Sequence, residues 1–152
     1  HFGPENGRHR RPLEQFLRAV VDARPGEAPR RLEVQSSADG GSTTAFFCNE
    51  CRQRLPRCIP IGLHVEMVRL RQRPGGERLH NRYILTNLGG VTFGVGPDEG
   101  DPGDTDDIQL LDRAQYEERW RQYAGEPPAF DRPEPAIRVE GAAPEGRRRG
   151  PV

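Results

Sequence analysis

Two neighbouring stretches decide the fold: residues 79–87 read LHNRYILTN, and residues 89–96 read GGVTFGVG. The first alternates in the way that a strand with one buried face does, and it places His80 and Arg82 on the same face. Turn residues separate the two stretches. We therefore predict that residues 91–96 return as the second strand of a hairpin.

This predicted hairpin carries the chemistry of a phosphate site. A titratable imidazole at His80 beside a permanent guanidinium at Arg82 suits an anion with forked oxygens. Gly94 and Gly96 interrupt the return strand, and glycine inside a strand often marks a place where a ligand or another backbone comes close. The pattern predicts a phosphate-containing ligand held by His80, Arg82 and the Gly94 and Gly96 backbone.

The spacing resembles the motif of the phospholipase D-like phosphodiesterases, which is His-x-Lys, four residues, Asp, six residues and Gly-Ser-x-Asn. On that frame His80 takes the place of the nucleophile, Arg82 that of the lysine and Asn87 that of the aspartate. Gly94 falls on the glycine. Residues 30–125 look closest to the phospholipase D-like domain at the C-terminus of microtubule-interacting-and-trafficking (MIT) domain proteins, a branch regarded as non-catalytic and membrane-binding.

In the enzymes of that superfamily, the resemblance implies a histidine that attacks phosphorus and a second motif copy that protonates the leaving group, without a metal or cofactor. This chain has one motif, so a working site would need a symmetric homodimer. Asn87 lacks a carboxylate, and Val95 and Pro97 replace the serine and asparagine.

We therefore expect a degenerate domain that binds a phosphodiester or phosphorylated ligand, with nucleic acid and lipid headgroup both open. One alternative is a homodimeric, metal-independent phosphodiesterase with His80 as nucleophile and Arg82 as its catalytic cation. Another is a protein-interaction or effector domain that has no phosphate site.

Composition predicts one domain with tails. The chain has 152 residues, 33% of them hydrophobic, with 18 Gly and 15 Pro. These values favour a flexible tail at 1–11, a domain at 12–131 and a disordered tail at 132–152. A net charge of zero gives no case for binding a polyanion by overall charge.

Residue usage indicates the setting of the domain. All 23 basic side chains are arginine, and the chain is rich in Ala, Gly and Pro, as in GC-rich bacterial genomes. Three cysteines and the lack of an apolar run of membrane length favour a cytoplasmic domain with no transmembrane segment. We expect it to be a module of a larger bacterial protein.

Periodicity and caps predict the remaining elements. In order these are a helix at 12–23, a strand at 31–37, a helix at 43–55, a strand at 63–70, the hairpin, a short strand at 107–111 and a helix capped by Asp112. The order predicts an α/β fold, a mixed sheet flanked by helices that forms one half of a phospholipase D-like fold. A Pro-Gly turn predicts that strands 63–70 and 79–87 form a hairpin.

Three other features receive structural interpretations. Cys48, Cys51 and Cys58, with His64 as fourth ligand, have a possible zinc spacing, but helix packing is favoured and no metal or cofactor is predicted. The acidic loop (residues 98–107) is predicted to be solvated. The small-residue junction at 36–41 is predicted to be a connector, although such a junction can hold an anion on free backbone N–H groups.

Overall fold

The computed structural model describes residues 2–23, 25–26, 29, 31–39, 42–94, 96 and 98–143. Within them the chain is an α/β fold of three α-helices and two three-stranded sheets. The elements in order are α1 (Gly7–Ala23), β1 (Glu33–Ser37), α2 (Thr44–Arg54), a 3-10 turn (Leu55–Arg57), β2 (His64–Leu70), β3 (Arg82–Thr86), β4 (Gly89–Phe93), β5 (Ile108–Leu110), α3 (Arg113–Ala124) and β6 (Ile137–Glu140).

The first sheet has the order β1-β2-β6, and it is mixed, as predicted. β1 runs parallel to β2, while β6 runs antiparallel to it. Val65 and Met67 of β2 pack with Leu17 of α1 and Phe47 of α2 in the main core. A second, smaller core forms around Val68, Leu70 and Phe130.

The predicted hairpin between residues 63–70 and 79–87 is wrong. β2 is the central strand of the first sheet, and β1 and β6 occupy both of its edges. Five of its seven residues are buried, which fits a strand enclosed on both sides. The key strand pairs in the second sheet instead.

The second sheet has the order β3-β4-β5 and contains the predicted hairpin. Its strands are shifted from the predicted bounds. β3 begins at Arg82, and Leu79, further upstream, packs against the second core. The return strand begins at Gly89 because the Thr86 hydroxyl accepts the N–H groups of Leu88 and Gly89 and closes a tight turn.

The predicted flexible tail at 1–11 is wrong, because α1 begins at Gly7. Asn6 caps it by accepting the Arg8 N–H at 3.0 Å through its side chain. Pro12 lies inside the helix and lacks the N–H that the Arg8 carbonyl would accept. That carbonyl instead accepts the Glu99 N–H at 3.0 Å, so the acidic loop replaces the missing hydrogen bond.

The predicted disordered tail at 132–152 is also wrong in part. Ile137–Glu140 forms β6, with Ile137 and Val139 buried in the main core and the alternating residues exposed. A four-residue strand flanked by prolines carries little periodic signal, and its pairing with β2 is non-local. Residues 144–152 of that prediction lie outside the described residues.

Helix α3 lies between the two sheets. Asp112 and Gln115 form the predicted capping box at its start. Near its end, the Tyr123 ring lies 5.8 Å from the Tyr83 ring of β3 and 5.1 Å from the Phe130 ring of the second core. The layers are therefore α1 with α2, the first sheet, α3 with the second core, and the second sheet.

Candidate phosphate site

His80 lies on the exposed segment that leads into β3. Its Nδ1 is 3.3 Å from the Asn81 side-chain oxygen, and the Asn81 amide donates to the Tyr83 hydroxyl at 2.8 Å. The prediction that His80 and Arg82 share a strand face is wrong, because the strand begins only at Arg82. Among the described residues no carboxylate forms an ion pair with His80 or orients its ring.

Arg82 lies across Gly96. A Cβ on Gly96 would lie 2.7 Å from Arg82 Nε, and the φ of Gly96 is +131°. Both facts favour glycine at that position. The Arg82 guanidinium makes no ion pair or side-chain hydrogen bond within the described part of the chain.

The Gly94 and Gly96 backbone already faces an anion, the carboxylate of Asp106. Gly96 N–H donates to Asp106 Oδ2 at 3.2 Å. A Cβ on Gly94 would lie 2.7 Å from Asp106 Oδ1, so the lack of a side chain at Gly94 leaves room for that oxygen. The structure thus brings Arg82, Gly94 and Gly96 together, as the sequence predicted.

Asn87 does not join them. It sits in the turn between β3 and β4, where Thr86 pairs with Gly89, whereas Arg82 pairs with Phe93 at the opposite end of the hairpin. Five residues of extended strand put Asn87 roughly 16 Å from Arg82. The equivalence of Asn87 with a motif aspartate therefore has no geometric counterpart beside Arg82.

The segment around Arg82 carries unneutralised positive charge. Most arginines of the described residues pair with a carboxylate. Arg78 and Arg82 have no such partner there, and His80 is exposed between them. This short run is therefore open to an external anion.

The acidic loop is exposed along its whole length, as predicted, and surface ion pairs also tie it to α1. Asp101 pairs with Arg8, and Glu99 pairs with Arg11. These pairs join the backbone hydrogen bond from Glu99 to the Arg8 carbonyl. These ion pairs between the acidic loop and α1 therefore neutralise part of the charge on both segments.

Arg69 was not predicted to be a site residue, yet it is a buried cation at the junction between β1 and α2. Its side chain is 4% exposed, and its Nη2 donates to the carbonyls of Ala38 and Ser42 at 3.1 Å each. Its Nη1 lies 3.5 Å from Glu134, and its guanidinium lies 5.2 Å from the Phe47 ring centre. The sequence does contain a signal for this burial, because Arg69 continues the alternation of the apolar residues Val65 and Met67 along β2. Gly40 and Gly41 of this junction lie outside the described residues.

The three cysteines are free thiols. Burial raises the pKa of Cys51 to about 12 and raises the pKa of Cys58. Across the described ranges, no group of three or more His, Cys, Asp or Glu side chains is arranged to hold a metal ion. Cys51 packs as an apolar group in the main core, whereas the buried Cys58 thiol donates to the Arg54 carbonyl at 3.6 Å.

Comparisons with family models, with curated proteins and with solved structures return no match to this chain. The resemblance to phospholipase D-like domains therefore stays a prediction. None of the helices in the described ranges combines the length and the apolar character needed to cross a membrane.

Proposed function

We propose that this domain binds a phosphodiester or phosphorylated ligand, without hydrolysing it, at the end of the second sheet where β3 begins. The observation that carries the proposal is the Arg82 guanidinium, which lies across Gly96 and has no ion pair within the described residues. The N–H of that glycine already donates to a carboxylate. A guanidinium beside a glycine backbone N–H offers the charge-assisted donors that phosphate oxygens accept.

Arg78 and His80 extend this site along one exposed segment. Arg78 adds a second cation, and His80 adds an imidazole that donates from both nitrogens when protonated. Asp106 is the internal anion of the site, and its carboxylate contacts the Gly96 N–H that a phosphate oxygen would use. A bound phosphate would first accept hydrogen bonds from the Arg82 guanidinium. It would then compete with Asp106 for the backbone N–H of Gly96.

The absence of turnover in this proposal follows from the surroundings of His80. A histidine nucleophile needs an orienting group and a paired acid. His80 contacts the neutral amide of Asn81, and Asn87 lies at the far end of the hairpin.

The experiment is a titration of the 15N-labelled chain with inorganic phosphate, a dinucleotide and glycerophosphocholine, followed by amide chemical shifts. We expect saturable shifts confined to residues 78–82, 94, 96 and 106. Arg82→Gln should weaken binding by about ten- to a hundredfold, because a hydrogen bond to a charged group contributes about 1.5–3 kcal/mol and about 1.4 kcal/mol is a tenfold change. The dinucleotide and the glycerophosphodiester distinguish a nucleic-acid ligand from a lipid headgroup.

Arg52→Gln is the matched control, since Arg52, like Arg82, has no ion pair within the described residues, and its side chain is exposed. It should leave the affinity unchanged. Equal losses in both variants, or shifts scattered over all arginines, would contradict a built site. EDTA-resistant hydrolysis of bis(p-nitrophenyl) phosphate that disappears in His80→Ala would contradict the absence of turnover and support the phosphodiesterase alternative.

A further inference from the structure

The second sheet has one apolar face outside both hydrophobic cores. Strand register arranges this face in two rows across the sheet. One row is Ile84, Val91 and Leu110, and the other is Arg82, Phe93 and Ile108. Ile108 is 62% exposed and Leu110 is 80% exposed. We call the five apolar residues of these two rows the open face.

Helix α3 covers the opposite face of the same sheet. The Tyr83 ring contacts Tyr123, and the Arg119 guanidinium lies 5.7 Å from the Tyr83 ring centre. Tyr83 alternates with Ile84 along β3, so its side chain points away from the open face. Of the described helices, α3 is the one packed against β3 and β4, and the open face therefore lacks an intramolecular layer among the described elements.

We propose that the open face packs against the open face of a second copy of this chain. This proposal rests on the apolar rows and does not require phosphate binding. In this dimer the partner copy competes with phosphate for Arg82. A two-fold axis parallel to β4 would lay β3 of one copy over β5 of its partner. Ile84 then meets Leu110 of the other chain, and Arg82 meets Ile108 of the other chain. Val91 and Phe93 meet their own equivalents near the axis. The surface is thus self-complementary, as an isologous dimer requires.

Charges at the border of the open face favour the same arrangement. Arg78 and Arg82 lie on the β3 side, while Asp104 and Asp107 precede β5 at the same end of the sheet. None of these four has an ion-pair partner within the described residues. The proposed axis places the basic border of each copy over the acidic border of the other. A second copy therefore supplies the opposite charge at both places.

The size of the open face predicts a weak dimer. Three strands about 4.8 Å apart and up to about five residues long span a face of roughly 15 by 15 Å. A standard interface buries about 800 Å² on each partner, which is more than this face alone provides. The zero net charge adds no long-range repulsion between copies.

Sedimentation velocity of the full chain between about 10 μM and 1 mM, a range that spans weak association, tests the proposal. We expect the wild type to shift from monomer to dimer with concentration. Leu110→Asp and Ile84→Arg should each remain monomeric, and the 80% exposure of Leu110 means that the first replaces no buried contact. Mixing the two variants should restore a dimer. At one contact the introduced aspartate of one chain faces the introduced arginine of the other, and at the second contact the native Ile84 and Leu110 still meet.

Leu88→Asp is the matched control, since Leu88 is 79% exposed at the hairpin turn and lies outside the two rows. It should dimerise like the wild type. A wild type that stays monomeric throughout would overturn the proposal, as would a Leu110→Asp variant that still dimerises. A mixture of the two monomeric variants that fails to associate would exclude the two-fold arrangement along β4.

Discussion

Two arginines of this chain show how burial changes what one side chain does. Arg82 lies at the surface end of β3 with its charge unpaired among the described residues, so it is available to a ligand. Arg69 is 4% exposed, and its charge is used internally on two loop carbonyls and Glu134. Its Nε is buried without a hydrogen-bond partner. Arg69 therefore stabilises the junction between β1 and α2 rather than binding from solvent.

At the residue scale, we predict that Arg69→Met lowers the free energy of unfolding by about 3 kcal/mol, because removing one partner of a buried ion pair leaves the other polar groups without compensation. Urea denaturation measures the loss. Arg71→Met is the control, because Arg71 pairs with Asp39 at 3.3 Å on the surface, and exposed pairs contribute less than about 1 kcal/mol. Equal costs for the two variants would contradict the role assigned to Arg69.

At the element scale, β6 completes the first sheet by covering an edge of β2. The strands pair in register from His64 with Glu140 to Met67 with Ile137. Beyond the strand, Gly141 N–H donates to the Leu63 carbonyl at 3.0 Å, and the next residue's N–H donates to the Pro56 carbonyl at 2.8 Å. This short segment therefore belongs to the domain, although it lies beyond the predicted domain boundary.

We predict that a chain ending at residue 136 loses cooperative unfolding, whereas a chain ending at residue 143 keeps it. The shorter chain exposes an edge of β2 and removes Ile137 and Val139 from the main core. Losing two buried aliphatic side chains costs about 3–6 kcal/mol by transfer alone, comparable to the stability of a small domain. Thermal melts followed by circular dichroism compare the two. Identical melting curves would show that β6 is dispensable.

At the scale of the whole molecule, α3 holds the two sheets together through Tyr123. Its ring contacts one ring from the second sheet and one from the second core, and its backbone carbonyl accepts the Gln35 side-chain amide from β1 at 3.1 Å. Burial raises the pKa of Tyr123 to about 12. Both sheets therefore surround this phenol and disfavour its ionised form.

The raised pKa of Tyr123 predicts a loss of stability at high pH. In the unfolded chain this phenol ionises near pH 10, whereas in the folded chain its pKa is about 12. The contribution of the neutral phenol to the free energy of unfolding is therefore complete below about pH 10. It is lost as the pH rises through about 12. The free energy of unfolding of the wild type should therefore fall more steeply than that of Tyr123→Phe over this interval. The difference in the free energy of unfolding between the two proteins at neutral pH is the reference. A difference that stays the same from about pH 10 to about 12 would contradict the prediction.

Sequence alone predicted what depends on neighbours in the chain. The capping box of Asp112 with Gln115 and the β3–β4 hairpin each depend on groups a few residues apart. The proximity of Arg82 to Gly96 followed from the same hairpin. Such patterns determine local structure because both partners are always close.

Tertiary structure decided the rest. The Arg8 carbonyl freed by Pro12 finds its donor in Glu99, far along the chain, which lets α1 begin at Gly7, well before the predicted start. β2 pairs with β6 instead of the following strand, and its two faces lie in different cores, Val65 and Met67 in the main core and Val68 and Leu70 in the second. These outcomes depend on contacts between distant segments, and no local pattern encodes which distant group will satisfy a given carbonyl or strand edge.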